Sequence, residues 1–257
     1  MSLILITNDD GIEAKGLHEL IEVAKPFGQV VVIAPMEGQS GMSHAITVKF
    51  PLRIQKLKEE EHLTMYSCSG TPVDGVKLAI SRLLPRRPDL ILSGINHGSN
   101  SSASVMYSGT MGAAIEGCIN GIPSIGFSIL DFDHDADFSG AIPYVKRIIE
   151  LSLKNGIPQG TCLNVNIPKA GSQRIQGMKV CRQNKGVWRE EFEKRKDPHN
   201  QDYYWLTGEF YDLEPESVDT DQWALLNNYV SVVPVHPDLT AYHSLDALKK
   251  WDWSNHL

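Results

Sequence analysis

The chain has 257 residues, 42% of them hydrophobic and 21% charged, with a formal net charge of −7. That balance allows a full core without disulfides or bound metal and lies far from the signature of a disordered chain. The negative charge offers no general attraction to a nucleic-acid backbone, which excludes a nucleic-acid polymer as an obligate partner but leaves small phosphorylated ligands open. Cys68, Cys118, Cys162 and Cys181 are widely spaced and form no C-x-x-C pair, so they read as buried thiols. With no basic-then-apolar leader and no apolar stretch of spanning length, the expectation is a cytoplasmic protein with no membrane association.

Short apolar runs at Leu3-Ile4-Leu5-Ile6, Val30-Val31-Val32-Ile33, Leu90-Ile91-Leu92 and Ser124-Ile125-Gly126-Phe127 read as buried parallel strands. Between the first two, Leu17, Leu20, Ile21 and Ala24 recur at helical spacing. Thr71-Pro72-Val73-Asp74 offers an N-cap, a proline at the first helical position and an acid at the third. A further helix is predicted from about Thr110 to a stop at Asn120-Gly121, with Pro123 just beyond. Strands alternating with helices predict an α/β fold with a Rossmann-like, mostly parallel sheet flanked by helices. The whole of 1–257 reads as a single α/β domain.

From about Ile175 the texture changes. Met178-Lys179-Val180-Cys181-Arg182 and Tyr203-Tyr204-Trp205-Leu206 flank a charged stretch from Arg189 to Lys196, which resembles a protruding hairpin arm over 175–210. A lone hairpin is marginal in water, so an arm bearing Trp188, Tyr203, Tyr204 and Trp205 is expected to pack against another subunit. Asp219-Thr220-Asp221 is placed to cap a short helix ahead of the strand-like Tyr229-Val230-Ser231-Val232-Val233.

In an open parallel sheet, ligands bind beyond the carboxyl ends of the strands, and three of the expected strands run into loops rich in chemistry. These are Asn8-Asp9-Asp10-Gly11, the loop from Pro35 through Ser40 to Ser43-His44, and Gly94-Ile95-Asn96-His97-Gly98-Ser99-Asn100. Paired aspartates with a hydroxyl and an amide oxygen nearby form a hard oxygen set suited to one divalent cation, Mg2+ or Mn2+. The competing reading of Asn8-Asp9-Asp10-Gly11 is a simple turn capping a helix. Ser108-Gly109-Thr110 places small residues at a helix start, where free N–H groups hold phosphate or merely cap a tightly packed helix. His44 is a candidate proton donor or phosphate contact, or a bystander. No P-loop, G-x-G-x-x-G or nucleophile elbow occurs in the chain. Asp131 to Asp137 imitates a calcium loop, but Ala136 stands where glycine is needed and Ile142 where bidentate glutamate is needed, so a solvated acidic loop is expected.

Five motifs then stand in order: Ile6-Thr7-Asn8-Asp9-Asp10-Gly11, Ala34-Pro35 through Gln39-Ser40-Gly41-Met42-Ser43-His44, Ser69-Gly70-Thr71-Pro72, Ser93-Gly94-Ile95-Asn96 and Tyr107-Ser108-Gly109-Thr110. Together with Tyr229-Val230-Ser231 and Asp238-Leu239-Thr240, they make the chain similar to the SurE survival-protein family of nucleotidases. The resemblance implies a Rossmann-like core with a swapped C-terminal arm and a homodimer or homotetramer. It also implies divalent-metal hydrolysis of nucleoside 5′- and 3′-monophosphates. By motif position it places the metal ligands on Asp9, Asp10, Ser40 and Asn96, and metal-activated hydrolysis then makes Asp9 and Asp10 the candidate catalytic residues, one of them orienting a water or accepting its proton. Phosphate binding falls on Ser108, Gly109 and Thr110, with Asn8, Ser43, His44 and Asn96 as further substrate contacts. One stretch departs from the family pattern: Asn100-Ser101-Ser102-Ala103-Ser104-Val105 is less acidic than usual and bears on nucleobase preference. A nucleotide-sensing module without turnover, and a sugar-nucleotide glycosyltransferase, remain as alternatives.

Overall fold

A computed structural model describes residues 1–133, 135–169, 171, 174–189 and 191–253. His134 in the acidic loop and Glu190 in the arm lie outside these. The elements are, in chain order, β1 (Ser2–Thr7), α1 (Lys15–Ala24), β2 (Gly28–Pro35), β3 (Ile54–Glu60), β4 (Leu63–Cys68), α2 (Pro72–Leu78), β5 (Leu90–His97), α3 (Gly109–Ile119), β6 (Ser124–Ile129), α4 (Ile142–Asn155), β7 (Cys162–Ile167), β8 (Gly177–Val180), β9 (Gly186–Arg189), β10 (Phe192–Lys196), β11 (Asp202–Leu206), β12 (Glu209–Asp212), α5 (Asp221–Leu226), β13 (Tyr229–Val235) and α6 (Tyr242–Leu248).

Among the described residues nine strands form one sheet in the order β3-β4-β2-β1-β5-β6-β7-β13-β8. The six from β4 to β7 are mutually parallel, and strand order reverses on either side of the β1–β5 pair, the crevice where doubly wound folds bind ligands. The apolar runs are buried on both faces because alternate side chains serve two layers. Ile4 and Ile6 pack with Leu17, Leu20 and Val145 of α1 and α4, whereas Leu3 and Leu5 pack with Val76 and Ala113 of α2 and α3. At α2 the expected capping box forms: the Thr71 hydroxyl accepts from Asp74 N–H and the Asp74 carboxylate accepts from Thr71 N–H. α3 begins one residue before Thr110, capped by Ser108, and stops at Asn120 as expected. All four cysteines are free and buried, and burial beside Cys118 pushes the Cys162 thiol up to about 12.

Two expectations need correction. The Met178–Arg182 run is not a strand of the arm, because Gly177–Val180 joins the main sheet as β8, parallel to β13. The arm consists instead of two successive ladders, β9 with β12 and β10 with β11. The acidic loop is not simply solvated either. Asp131 is buried and paired with Lys169 at 2.9 Å, while Ala136 and Phe138 are buried in the core and Lys15 Nζ donates to Ala136 O.

Candidate functional site

The loops after β1, β2 and β5 and the start of α3 meet beyond the carboxyl ends of the strands. Asp9, Ser40, Asn96 and Ser108 line one cleft of about 450 Å³ there, within the range of small-ligand pockets. The loop after β2 is laid over the loop after β1 by the bond from Gln39 N–H to Asp9 O, at 2.7 Å.

Asp9 is 3% exposed. Its carboxyl is raised to about 6, first by burial and also by the charge of Asp10, against hydrogen bonds from the hydroxyl and backbone of Thr110. The Thr110 hydroxyl donates to Asp9 Oδ1 at 2.5 Å. A Cβ on Gly109 would stand 2.9 Å from Oδ2 of Asp9, so only glycine lets this carboxylate rest on the first turn of α3. The helix start read as a phosphate cradle is therefore partly taken up by Asp9, which gains from the positive end of the helix dipole.

Asp10 opens onto an adjoining depression with Glu13, Lys15 and His97. Burial raises its carboxyl, opposed by the hydrogen bond from His97 N–H and by the His97 ring. Both amide hydrogens of Asn96 are engaged, by the carbonyls of His97 and Gly98, leaving its Oδ1 lone pairs available to a cation or a hydrogen-bond donor.

Other expected residues are placed differently. Asn8 is fully buried under the loop, its Nδ2 donating to Gly11 O at 2.9 Å. Ser43 donates to Met106 O at 2.7 Å, and His44 Nε2 pairs with Glu116 at 2.9 Å. Both residues line a separate cavity of about 630 Å³ that shares Ser108 with the cleft. The structure thus does not bring Asn8, Ser43 or His44 into the cleft with Asp9.

The donor chemistry fits a hard cation. Among the described residues neither Asp9 nor Asp10 makes an ion pair, and no three His, Cys, Asp or Glu side chains converge on a metal position. Two carboxylates completed by neutral oxygens of Ser40 and Asn96 are a magnesium-type set. Among the described residues Thr7 Oγ1 and Asn8 Oδ1 at the carboxyl end of β1, Ser93 Oγ in β5 and Ser231 Oγ in β13 are buried without partners, with Thr7 and Ser93 paired in register. Buried acceptors left unpaired cost about 1–3 kcal/mol each, and a nearby positive charge offsets that cost.

Sequence reasoning missed Phe132, Trp188 and Glu191, which also line the cleft. Phe132 follows the carboxyl end of β6, so the rule that found the other loops reaches it. Trp188 and Glu191 come from the arm, and no motif marks them.

Fold and cleft together define a doubly wound α/β protein with an acidic cleft at its topological switch point. Residues 4–190 match the family described as survival protein SurE. The chain is 54% identical over 251 residues to the 5′-nucleotidase SurE of Flavobacterium psychrophilum, covering 97% of each chain. To the 5′-nucleotidase SurE of Bacteroides fragilis it is 53% identical, again covering 97% of each. The crystal structure of the SurE protein from Aquifex aeolicus superposes with a TM-score of 0.82 at 40% identity, covering 96% of this chain and 98% of that one. The chain belongs to the SurE family.

Proposed function

We propose that this protein is a metal-dependent 5′-nucleotidase that hydrolyses nucleoside 5′- and 3′-monophosphates to nucleoside and phosphate. The observation that carries the reading is the convergence of Asp9, Ser40, Asn96 and Ser108 on one cleft beside the start of α3. The names carried by relatives at this level of identity support the same reaction. Asp9, Asp10, Ser40 and Asn96 would hold Mg2+ or Mn2+, which when bound supplies Lewis-acid polarisation of the phosphoryl oxygens and of the attacking water. Asp9, fixed by Thr110, sets the position of the phosphate relative to the first turn of α3. Either Asp9 or Asp10 orients the water and accepts its proton at a carboxylate oxygen. The first turn of α3, whose Thr110 N–H is held by Asp9 and whose Met111 N–H is capped by Ser108, presents the positive end of the helix dipole to the phosphate. Free, buried cysteines fit a cytoplasmic setting, and no described helix is long and apolar enough to cross a membrane. Exposed Tyr204, Trp205 and Leu206 on the arm support packing against a second copy, in a homodimer or homotetramer.

The test is phosphate release from nucleoside 5′- and 3′-monophosphates with magnesium or manganese, after chelation, and with Asp9→Asn. Metal-dependent release lost in the variant is the expected result. Nucleotide binding by a folded protein with no release under either metal overturns the hydrolase reading in favour of a nucleotide-sensing module.

A further inference from the structure

The cleft beside Asp9 does not end at its polar floor. A second cavity of about 350 Å³ adjoins it, and Ser99, Ser104, Phe132 and Trp188 border both. Beyond them the second cavity is walled by Leu130, Phe210, Leu225 and Leu226, with the Ser101 hydroxyl and the Gln222 carboxamide as its polar groups, the first donating to Oε1 of the second at 3.4 Å. The joined space therefore runs from the Asp9 carboxylate, past serine hydroxyls, to a slot between aromatic and aliphatic side chains.

Two aromatic rings stand where the halves meet. Phe132 is 82% exposed and Trp188 is 38% exposed, and large apolar faces left in water at the mouth of a cleft mark a binding surface. Both rings are positioned by their neighbours. Trp188 meets Phe210 edge to face, with centroids 5.9 Å apart and planes at 69°. Phe132 lies so close over Gly98 that a Cβ there would come within 2.3 Å of the ring. The Trp188 ring, held against Phe210 without a ligand, loses little freedom on binding one.

We infer that Phe132 and Trp188 form the nucleobase subsite, stacking the base of a nucleoside monophosphate whose phosphate lies at Asp9. The inference rests on the nucleotidase reading of the cleft and adds what selects the substrate. Polarity runs in the order that such a ligand requires: an anionic end at the hard oxygens, a hydroxyl-bearing sugar at Ser99 and Ser104, and a flat ring at the aromatic pair. Stacking tolerates any base because each has a π-face, and Gln222 offers one amide to the base edge. Within the serine-rich stretch after Asn100, Ser104 thereby acquires a role on the sugar-facing wall.

The experiment compares a nucleoside 5′-monophosphate with ribose 5-phosphate, which has the same phosphate and sugar but no base. It uses wild type, Trp188→Ala, Trp188→Phe and Phe132→Ala. In each alanine variant the selectivity for the nucleotide, as the ratio of kcat/KM values, is expected to fall about tenfold to a hundredfold, mainly through KM. Trp188→Phe retains most of it. Equal losses on both substrates, or no change in the ratio, overturn the subsite. Absence of phosphate release from either substrate by wild type would be a failure of the nucleotidase reading alone. Nucleoside binding by calorimetry then decides the subsite: weaker binding in Trp188→Ala and Phe132→Ala supports it, and unchanged binding overturns it.

Discussion

The central sheet and the arm use the same element in opposite ways. β1, β2, β5 and β6 are buried on nearly every residue, and helices cover both of their faces. β10 and β11 pair with each other in full register yet are exposed throughout. Ladder hydrogen bonds are satisfied in both regions, so they do not account for the difference. What the comparison teaches is that the sheet draws its rigidity from apolar burial, at about 25 cal/mol per Å², and can therefore hold unpaired carboxylates at its end. The arm has no such reserve within one protomer and contributes its side chains at a rim.

The largest expected effect lies where the rigid sheet carries a feature that costs stability. Asp9→Asn is expected to lower kcat by about a thousandfold while leaving the metal-free protein at least as stable as wild type, because it removes the charge of a buried carboxyl that has no ion-pair partner. Calorimetric melting alongside turnover checks both halves, and a lower melting temperature would contradict the account of Asp9. Next comes the direct contrast of regions. Phe127→Ala, at a fully buried position in β6, is expected to cost about 3–5 kcal/mol. Trp205→Ala, on the exposed β11, should cost under about 0.5 kcal/mol for an isolated protomer. Denaturant unfolding at low protein concentration measures the pair, and similar values would erase the distinction.

Smaller in effect is Gly109→Ala. The added methyl would meet the Asp9 carboxylate at 2.9 Å, and a displacement of that group is expected to cut kcat by about a hundredfold with the native circular dichroism kept. Turnover equal to wild type would show that the first turn of α3 does not fix Asp9.

The smallest effect concerns Glu116 on α3. Burial pushes its carboxyl up, but hydrogen bonds from His44, Lys77 and Asn120 outweigh that and hold it below 4.5. A lowered folded-state value means the stabilisation is present above the unfolded value and is lost as pH falls through the folded one. Glu116→Gln should therefore cost about 1 kcal/mol at pH 7, and the difference from wild type should shrink as pH falls below the ordinary glutamate value of about 4.3. Unfolding curves at both pH values test the sign, and a gap that widens in acid would reverse it.

Much of the sheet side was legible in the sequence because one physical cause governed it. Leu3 to Ile6 and Val30 to Ile33 are continuous apolar runs, as strands buried on both faces must be, and the loops after them follow from strand direction alone. Thr71 with Asp74, and Asn120 with Gly121, are local signals that act within a few residues. Met178 to Arg182 was assigned to the arm because an edge strand with alternating exposure looks the same in sequence as an arm strand. Only its partner distinguishes the two, and that partner begins at Tyr229. In the site, Asp9, Ser40, Asn96 and Ser108 were readable as loop chemistry. The Thr110–Asp9 bond, the pairing of His44 with Glu116 and the approach of Trp188 join residues far apart in the chain, and no spacing rule reaches across such distances.

β13 lies between β7 and β8, pairing antiparallel with the first and parallel with the second. β7 and β8 are thus held apart by a gap that β13, the last strand among the described residues, fills. During synthesis β8 has no neighbour in the sheet until Tyr229 to Val235 has left the ribosome, and the base of the arm waits with it. A chain stopped at residue 228 would lose two strands rather than one, and the rim that carries Trp188 would lose its anchorage to the sheet. Assembly of the cleft is in this sense timed by β13, although Asp9, Ser40, Asn96 and Ser108 at its floor all lie far earlier in the chain.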